Sequence, residues 1–193
     1  MAQSSKSGVW PGARPIDSPN QDARPEGEVS LLVVHAISLP PGEFGGPAIE
    51  ALFTNTLDPG EHPFFETIAH LRVSAHFLIR RDGACVQFVD TDRRAWHAGR
   101  SRWFDPRLSA ARQALNDFSV GVELEGDGET PFTRAQYESL VALTRWLMAR
   151  YPLLDEQRIT SHAHVAPLRK EDPGPAFDWA YYRQRLALSR SVT

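Results

Sequence analysis

The run SLLVVHAIS, residues 30–38, constrains this chain more than any other stretch. Leu31, Leu32, Val33 and Val34 leave no polar side. Such a run suits a strand buried on both faces, as parallel strands under a cover of helices are. It then meets His35, a polar side chain where an apolar one is expected. The two-residue period puts Leu31, Val33 and His35 on one side. A core histidine bonded to backbone and a functional histidine explain this position equally well, so His35 needs partners before it means anything.

Further elements alternate between helix and strand. PAIEALFTNTL, opening at Pro47, and HPFFETIAHLRV read as short helices. SAHFLIRRDGACVQFV reads as a hairpin turning at Asp82-Gly83. FSVGVELEG alternates, with Phe118, Val120, Val122 and Leu124 on one side and Ser119, Gly121, Glu123 and Glu125 on the other. The strongest helix is TRAQYESLVALTRWLMARYP. It has a Thr133/Gln136 capping box and a core-facing stripe through Tyr137, Leu140, Val141, Thr144, Leu147, Met148 and Tyr151. RITSHAHV is expected as a short strand or extended segment, AFDWAYYRQRLALS as a final helix, and residues 92–117 mostly as loop. This order predicts an α+β fold, a single domain with a central mixed β-sheet flanked by α-helices. Residues 1–28, rich in Pro, Gly, Ser and Asp, are expected as an irregular arm. The domain should cover 29–186 and a tail 187–193.

The 193 residues suffice for one sizeable core, and 41% hydrophobic with 23% charged residues is an ordinary globular balance. The formal charge of −3 comes with basic residues only in short pairs, so no nucleic-acid partner is expected. The single cysteine, Cys85, excludes an internal disulfide and fits a reducing compartment. It reads as packing rather than as a nucleophile. No apolar run opens the chain, which predicts no signal peptide, no membrane association and a cytoplasmic location.

The stretch SHAHVAPLRKEDPGPAFDW, residues 161–179, concentrates titratable groups beside a backbone that cannot continue a helix. Pro173 and Pro175 fix φ and remove donors, and Pro173 biases Asp172 toward an extended backbone. Neutral imidazoles and a carboxylate suit zinc, and three such donors with a fourth position open describe a catalytic rather than a structural site. Spacing alone leaves His162 and His164 as an alternative pair to His162 with Asp172. Glu123 or Glu125 can serve as general base toward an activated water. Lys170, in an extended segment with Asp172, can face the same pocket and stabilise an oxyanion, an interaction worth roughly 3–4 kcal/mol. An ordinary surface lysine and a solvated glutamate pair are the plainer alternatives. His97 can line a pocket or cap a loop, Trp96 can stack on a sugar and Arg72 can clamp a carboxylate.

Taken together, LLVVHAISLPPGEFGGP, HLRVSAHFLIRRDG, RAWHAG, NDFSVGVELEG and RKEDPGPAFDW resemble the AmpD family of zinc-dependent N-acetylmuramoyl-L-alanine amidases, from about residue 10 to 186. The resemblance implies an amidase-like fold with His35, His162 and Asp172 as ligands of Zn2+. It implies Glu123 as the water-activating group, Lys170 as the oxyanion partner, and Arg72 and Trp96 near the substrate. The implied reaction cleaves the amide between N-acetylmuramic acid and L-alanine in a 1,6-anhydro muropeptide, by a monomeric enzyme of cytoplasmic cell-wall recycling that influences β-lactamase induction. A non-catalytic muropeptide-binding module and an amidase of intact cell wall are the alternatives. Two departures stand out. Ala36 occupies a position where the family usually has asparagine, and the stretch between WHAG and NDF is long and carries Arg102, Arg107 and Arg112.

Overall fold

The buried run becomes a strand at the middle of the molecule, in a computed structural model that describes residues 8–25 and 29–188. Parts of the expected arm and tail, 1–7, 26–28 and 189–193, lie outside the described residues. The strands are β1 (Arg14–Pro15), β2 (Gln21–Ala23), β3 (Leu31–Ile37), β4 (Phe77–Ile79), β5 (Cys85–Gln87), β6 (Arg93–Ala95), β7 (Trp103–Asp105), β8 (Ala110–Arg112), β9 (Ser119–Glu125) and β10 (Ile159–Ser161). The α-helices are α1 (Ala48–Phe53), α2 (Pro63–Ile68), α3 (Arg134–Arg150), α4 (His162–Val165) and α5 (Trp179–Leu188).

The main sheet runs β1-β5-β4-β9-β3-β10. Its pairs are parallel except for the β4–β5 hairpin, so the sheet is mixed, as expected. That hairpin turns at Gly83, whose φ of +86° is a conformation other residues rarely adopt. The two longest strands, β3 and β9, pair from Leu31↔Ser119 to Ile37↔Glu125, which sets His35 beside Glu123. Both are covered on each side, which is why β3 is apolar up to His35 and why the polar residues of β9, Ser119, Glu123 and Glu125, are buried or nearly so. Leu32, Val34, Val120, Val122 and Leu124 pack against the α3 and α5 side chains Leu140, Leu143, Leu147 and Tyr182. On the other face Leu78, Val86 and Phe88 meet Ile49, Leu52, Phe53 and Phe65. Leu31 and Val33 meet Ala98, Trp103 and Leu115 there.

Helix α3 opens with the predicted capping box, each of Thr133 and Gln136 binding the other's backbone N–H. Two expectations need correction. Phe118 precedes β9 and packs with Leu31 and Val33, not with Val120, because its backbone has not yet entered the strand. Residues 92–117 are mostly loop, as expected, but they carry short strands within it: β6 pairs with β2, and β7 with β8 as a separate hairpin. Strands of three residues are too short for a period to register, and their partners are local or in the N-terminal segment. That segment, expected to be irregular, contributes β1 to the sheet edge and β2 to the pair with β6.

Candidate active site

His35 lies near the C-terminal end of β3 and Glu123 at the same level of β9. The third parallel strand, β10, ends at Ser161, and its neighbour His162 opens α4. Ser161 caps that helix, its Oγ accepting from His164 N–H at 3.0 Å. The strand therefore stops before the His-x-His pair, and helical geometry sends the two rings apart: His162 is 4% exposed, whereas His164 is exposed to solvent. Asp172 arrives from the DPGP turn. Its backbone carbonyl accepts from Ala163 N–H at 2.9 Å, tying the turn to α4. Gly174 follows with a φ of +83° and packs so closely on Gly128 that a Cβ would collide with backbone. The Asp172–Pro173 peptide is cis.

These three elements bring three donor atoms together. His35 Nδ1 and His162 Nδ1 are 3.0 Å apart, and each is 3.1 Å from Asp172 Oδ2. Burial lowers the His35 pKa to about 4, against the pull of Asp172, so its imidazole is neutral near pH 7. Burial alone would raise the Asp172 carboxyl, but the two imidazoles beside it, His162 and His35, outweigh burial and hold the group below the usual carboxylate range. Two imidazoles and a carboxylate facing one point are the donor set of a zinc site. Zinc bond lengths of ~2.0–2.2 Å in a tetrahedron separate ligand atoms by roughly 3.3–3.6 Å, close to the spacing here. The residues fit a divalent ion.

Glu123 borders this point. Its Oε2 is buried and has no hydrogen-bond partner among the described residues. Burial, then the Asp172 charge, raises its pKa well above the ordinary glutamate value, while Lys170 pulls it back. Glu125, two positions on, is fully engaged: it accepts from Gly45 N–H at 2.7 Å, Arg80 Nη1 at 2.8 Å and Arg81 N–H at 3.1 Å. Glu125 therefore holds the GEFGG loop, and only Glu123 turns an unspent oxygen toward the cleft.

The cleft holds about 340 Å3. One end is polar, lined by His35, His97, Glu123, His162, Lys170 and Asp172. The other is apolar, built by Leu52, Phe53, Phe64, Ile68, Leu71 and Val73, with Trp96 and Ala36 also on the wall. Sequence reasoning missed the apolar wall, because α1 and α2 spend the rest of their apolar side chains on the core. Arg72 does not line the cleft; it is exposed and its Nη1 contacts the carbonyls of Ala69, His70 and Leu71 at 3.3–3.4 Å. Of the arginines in the long stretch, Arg107 pairs with Asp155 at 2.5 Å, and Arg112 stacks over Phe118 and reaches Asp105 at 3.4 Å. Cys85 is buried, and burial pushes its thiol up to about 12, consistent with packing.

The family model for N-acetylmuramoyl-L-alanine amidases (Amidase_2) matches residues 25–175. The chain is 58% identical over 183 residues to the 1,6-anhydro-N-acetylmuramyl-L-alanine amidase AmpD of Escherichia coli strain K12, covering 94% of this chain and 95% of that protein. A crystal structure of a selenomethionine derivative of AmpD superposes with a TM-score of 0.87 and 54% identity, over 93% of this chain and 97% of that one. The amidase AmiD of E. coli, solved with anhydro-N-acetylmuramic acid-L-Ala-D-γ-Glu-L-Lys, aligns with a TM-score of 0.58 at 28% identity, over 81% of this chain and 57% of that one.

Proposed function

The chain belongs to the N-acetylmuramoyl-L-alanine amidase family, and from that premise we propose that it is a zinc-dependent hydrolase of 1,6-anhydro muropeptides in cytoplasmic cell-wall recycling. The convergence of His35 Nδ1, His162 Nδ1 and Asp172 Oδ2 beside the unpartnered Glu123 Oε2 carries this reading. His35, His162 and Asp172 would hold Zn2+, which when bound supplies Lewis acidity toward water and the scissile carbonyl. The bond broken is the amide between the lactyl carbonyl of N-acetylmuramic acid and the nitrogen of L-alanine.

Glu123 takes the proton of the attacking water and delivers it to the departing alanine nitrogen, so the same carboxyl serves as base and then as acid. Its burial favours this exchange: a carboxyl with a raised pKa holds a proton long enough to pass it on. Lys170 lines the same end of the cleft and offers its ammonium to the oxyanion that develops on the carbonyl oxygen. The apolar wall and Trp96 take up the sugar with its fused anhydro ring, whose faces are less polar than an open glycan. Arg72, exposed beside Leu71, is left to meet the acidic stem peptide outside the cleft proper. In an organism with an inducible β-lactamase, removal of such fragments would damp induction.

Purified protein should contain close to one zinc per chain and release peptide from anhydro-muropeptide. Chelation should abolish release and added zinc should restore it. Unchanged turnover after verified removal of the metal contradicts the reading.

A further inference from the structure

His97 comes from the loop after β6, far in sequence from the converging donors, yet its ring sits behind His35. We propose that His97, backed by Ser119, is a positioning residue that fixes the tautomer of His35 and so leaves the His35 Nδ1 lone pair free. What that lone pair is for rests on the metal reading above; the relay itself rests on hydrogen-bond accounting.

Ser119 Oγ has one proton. It lies 2.6 Å from the Leu115 carbonyl oxygen, which can only accept, so the proton is committed there. Oγ can then only accept from His97 Nε2, 3.1 Å away, which places the His97 proton on Nε2. A neutral His97 has no proton left for Nδ1. His97 Nδ1 therefore accepts from His35 Nε2 at 2.9 Å. A neutral His35 protonated at Nε2 has a bare Nδ1, the atom that faces His162 and Asp172.

The surroundings of His97 are built for this role. Its backbone N–H and that of Ala98 both donate to Asn116 Oδ1, at 3.3 and 2.8 Å. Gly121 lies under the ring, and any Cβ there would strike the imidazole. Ser119, Gly121 and Glu123 occupy successive positions on one side of β9, so a single strand supplies the anchor, the room for the ring and the proposed base. His162 has no such support: its Nε2 is buried without a partner among the described residues. In the metal-free protein His162 is the ring left to donate from Nδ1 to Asp172 Oδ2, at 3.1 Å. It would have to move its proton to Nε2 when an ion binds. His35 alone is set in advance.

The test uses the full chain labelled with 15N-histidine. Nitrogen–proton correlation spectra of the metal-free protein read the tautomer of each ring, and competition with a chromophoric chelator reads zinc affinity. In the wild type His35 is expected as the Nε2–H form with and without zinc, while His162 changes form on zinc addition. His97→Phe keeps a ring but cannot accept. It should shift His35 toward Nδ1–H and weaken zinc binding about 10–100-fold. His97→Asn presents an oxygen where Nδ1 stood and should restore both readouts. Ser119→Ala, which leaves the strand intact, should produce a mixture of His35 tautomers if the ring variants fold poorly. His35 protonated at Nδ1 in the metal-free wild type, or equal zinc affinity and an unchanged His35 tautomer in folded His97→Phe, overturns the relay. The expected tautomers in a wild type that binds no zinc support the relay and count against the metal reading.

Discussion

Glu123 and Glu125 sit two positions apart on β9, yet their carboxyls meet opposite surroundings. Glu125 is 1% exposed and satisfied by two backbone N–H groups and Arg80. Glu123 keeps a buried oxygen with no partner among the described residues. Replacing Glu123 with Gln should lower kcat by roughly 10²–10⁴ while zinc content stays the same. The melting temperature should hold or rise, since the amide removes a charge that burial penalises. Glu125→Gln should do the reverse: a loss of roughly 1–3 kcal/mol in urea unfolding with most of kcat retained. If the two variants exchange these behaviours, the proton carrier is Glu125. From the residues alone both glutamates were open candidates, and the resemblance chose the first. The alternation of VELEG shows which side they share, and only Arg80 and the GEFGG loop, distant in sequence, separate their roles. The choice of His162 over His164 has the same origin, because the alternation rule for strands stops applying at Ser161.

Among the elements, the β7–β8 hairpin was the least legible. Its strands are three residues each, and what holds them is a buried ion pair rather than a hydrophobic stripe. Arg158 donates to Asp105 at 2.9 and 2.8 Å through both arms of its guanidinium, and the ring of Trp103 lies under its Cζ at 4.7 Å. These hydrogen bonds hold the Asp105 pKa at about 2. An unfolded aspartate titrates near ~3.9, so the unfolded chain takes up the proton first as pH falls. The stabilisation is complete above about pH 4 and drains away between there and about pH 2, a change on the order of 2 kcal/mol. Asp105→Asn should be less stable near neutral pH by roughly 3–5 kcal/mol, because Arg158 stays buried without its partner. Its unfolding free energy should also fall less steeply than the wild type's across that acid range. Parallel pH-dependent slopes in the two proteins would remove Asp105 as the titrating group. By contrast β3, β9 and α3 were readable in advance, since each is long enough for its period to repeat and buried enough for the period to be apolar.

For the whole molecule, the parallel strands decide where chemistry can sit. β3, β9 and β10 deliver their C-terminal ends to one edge, the place where open sheets with parallel strands form ligand crevices. His35 and His162 leave that edge directly, and Asp172 reaches it from a turn locked against Gly128. A divalent ion there would tie β3, α4 and the turn together, joining residues 137 positions apart. An ion that binds the folded chain and not the unfolded one stabilises by RT ln(1 + [L]/Kd), about 2.7 kcal/mol at a hundredfold excess over Kd. In a domain of this size that should raise the melting temperature by roughly 5–10 °C. Asp172→Ala keeps both imidazoles but removes the charged donor. It should lose activity and the zinc-dependent rise in melting temperature, whatever its own metal-free stability. Calorimetry of the wild type and Asp172→Ala, each with chelator and with excess zinc, gives the comparison directly. A wild-type melting temperature that ignores zinc would mean that the three donors meet without forming a metal site, and the sheet edge would then need another account of its chemistry.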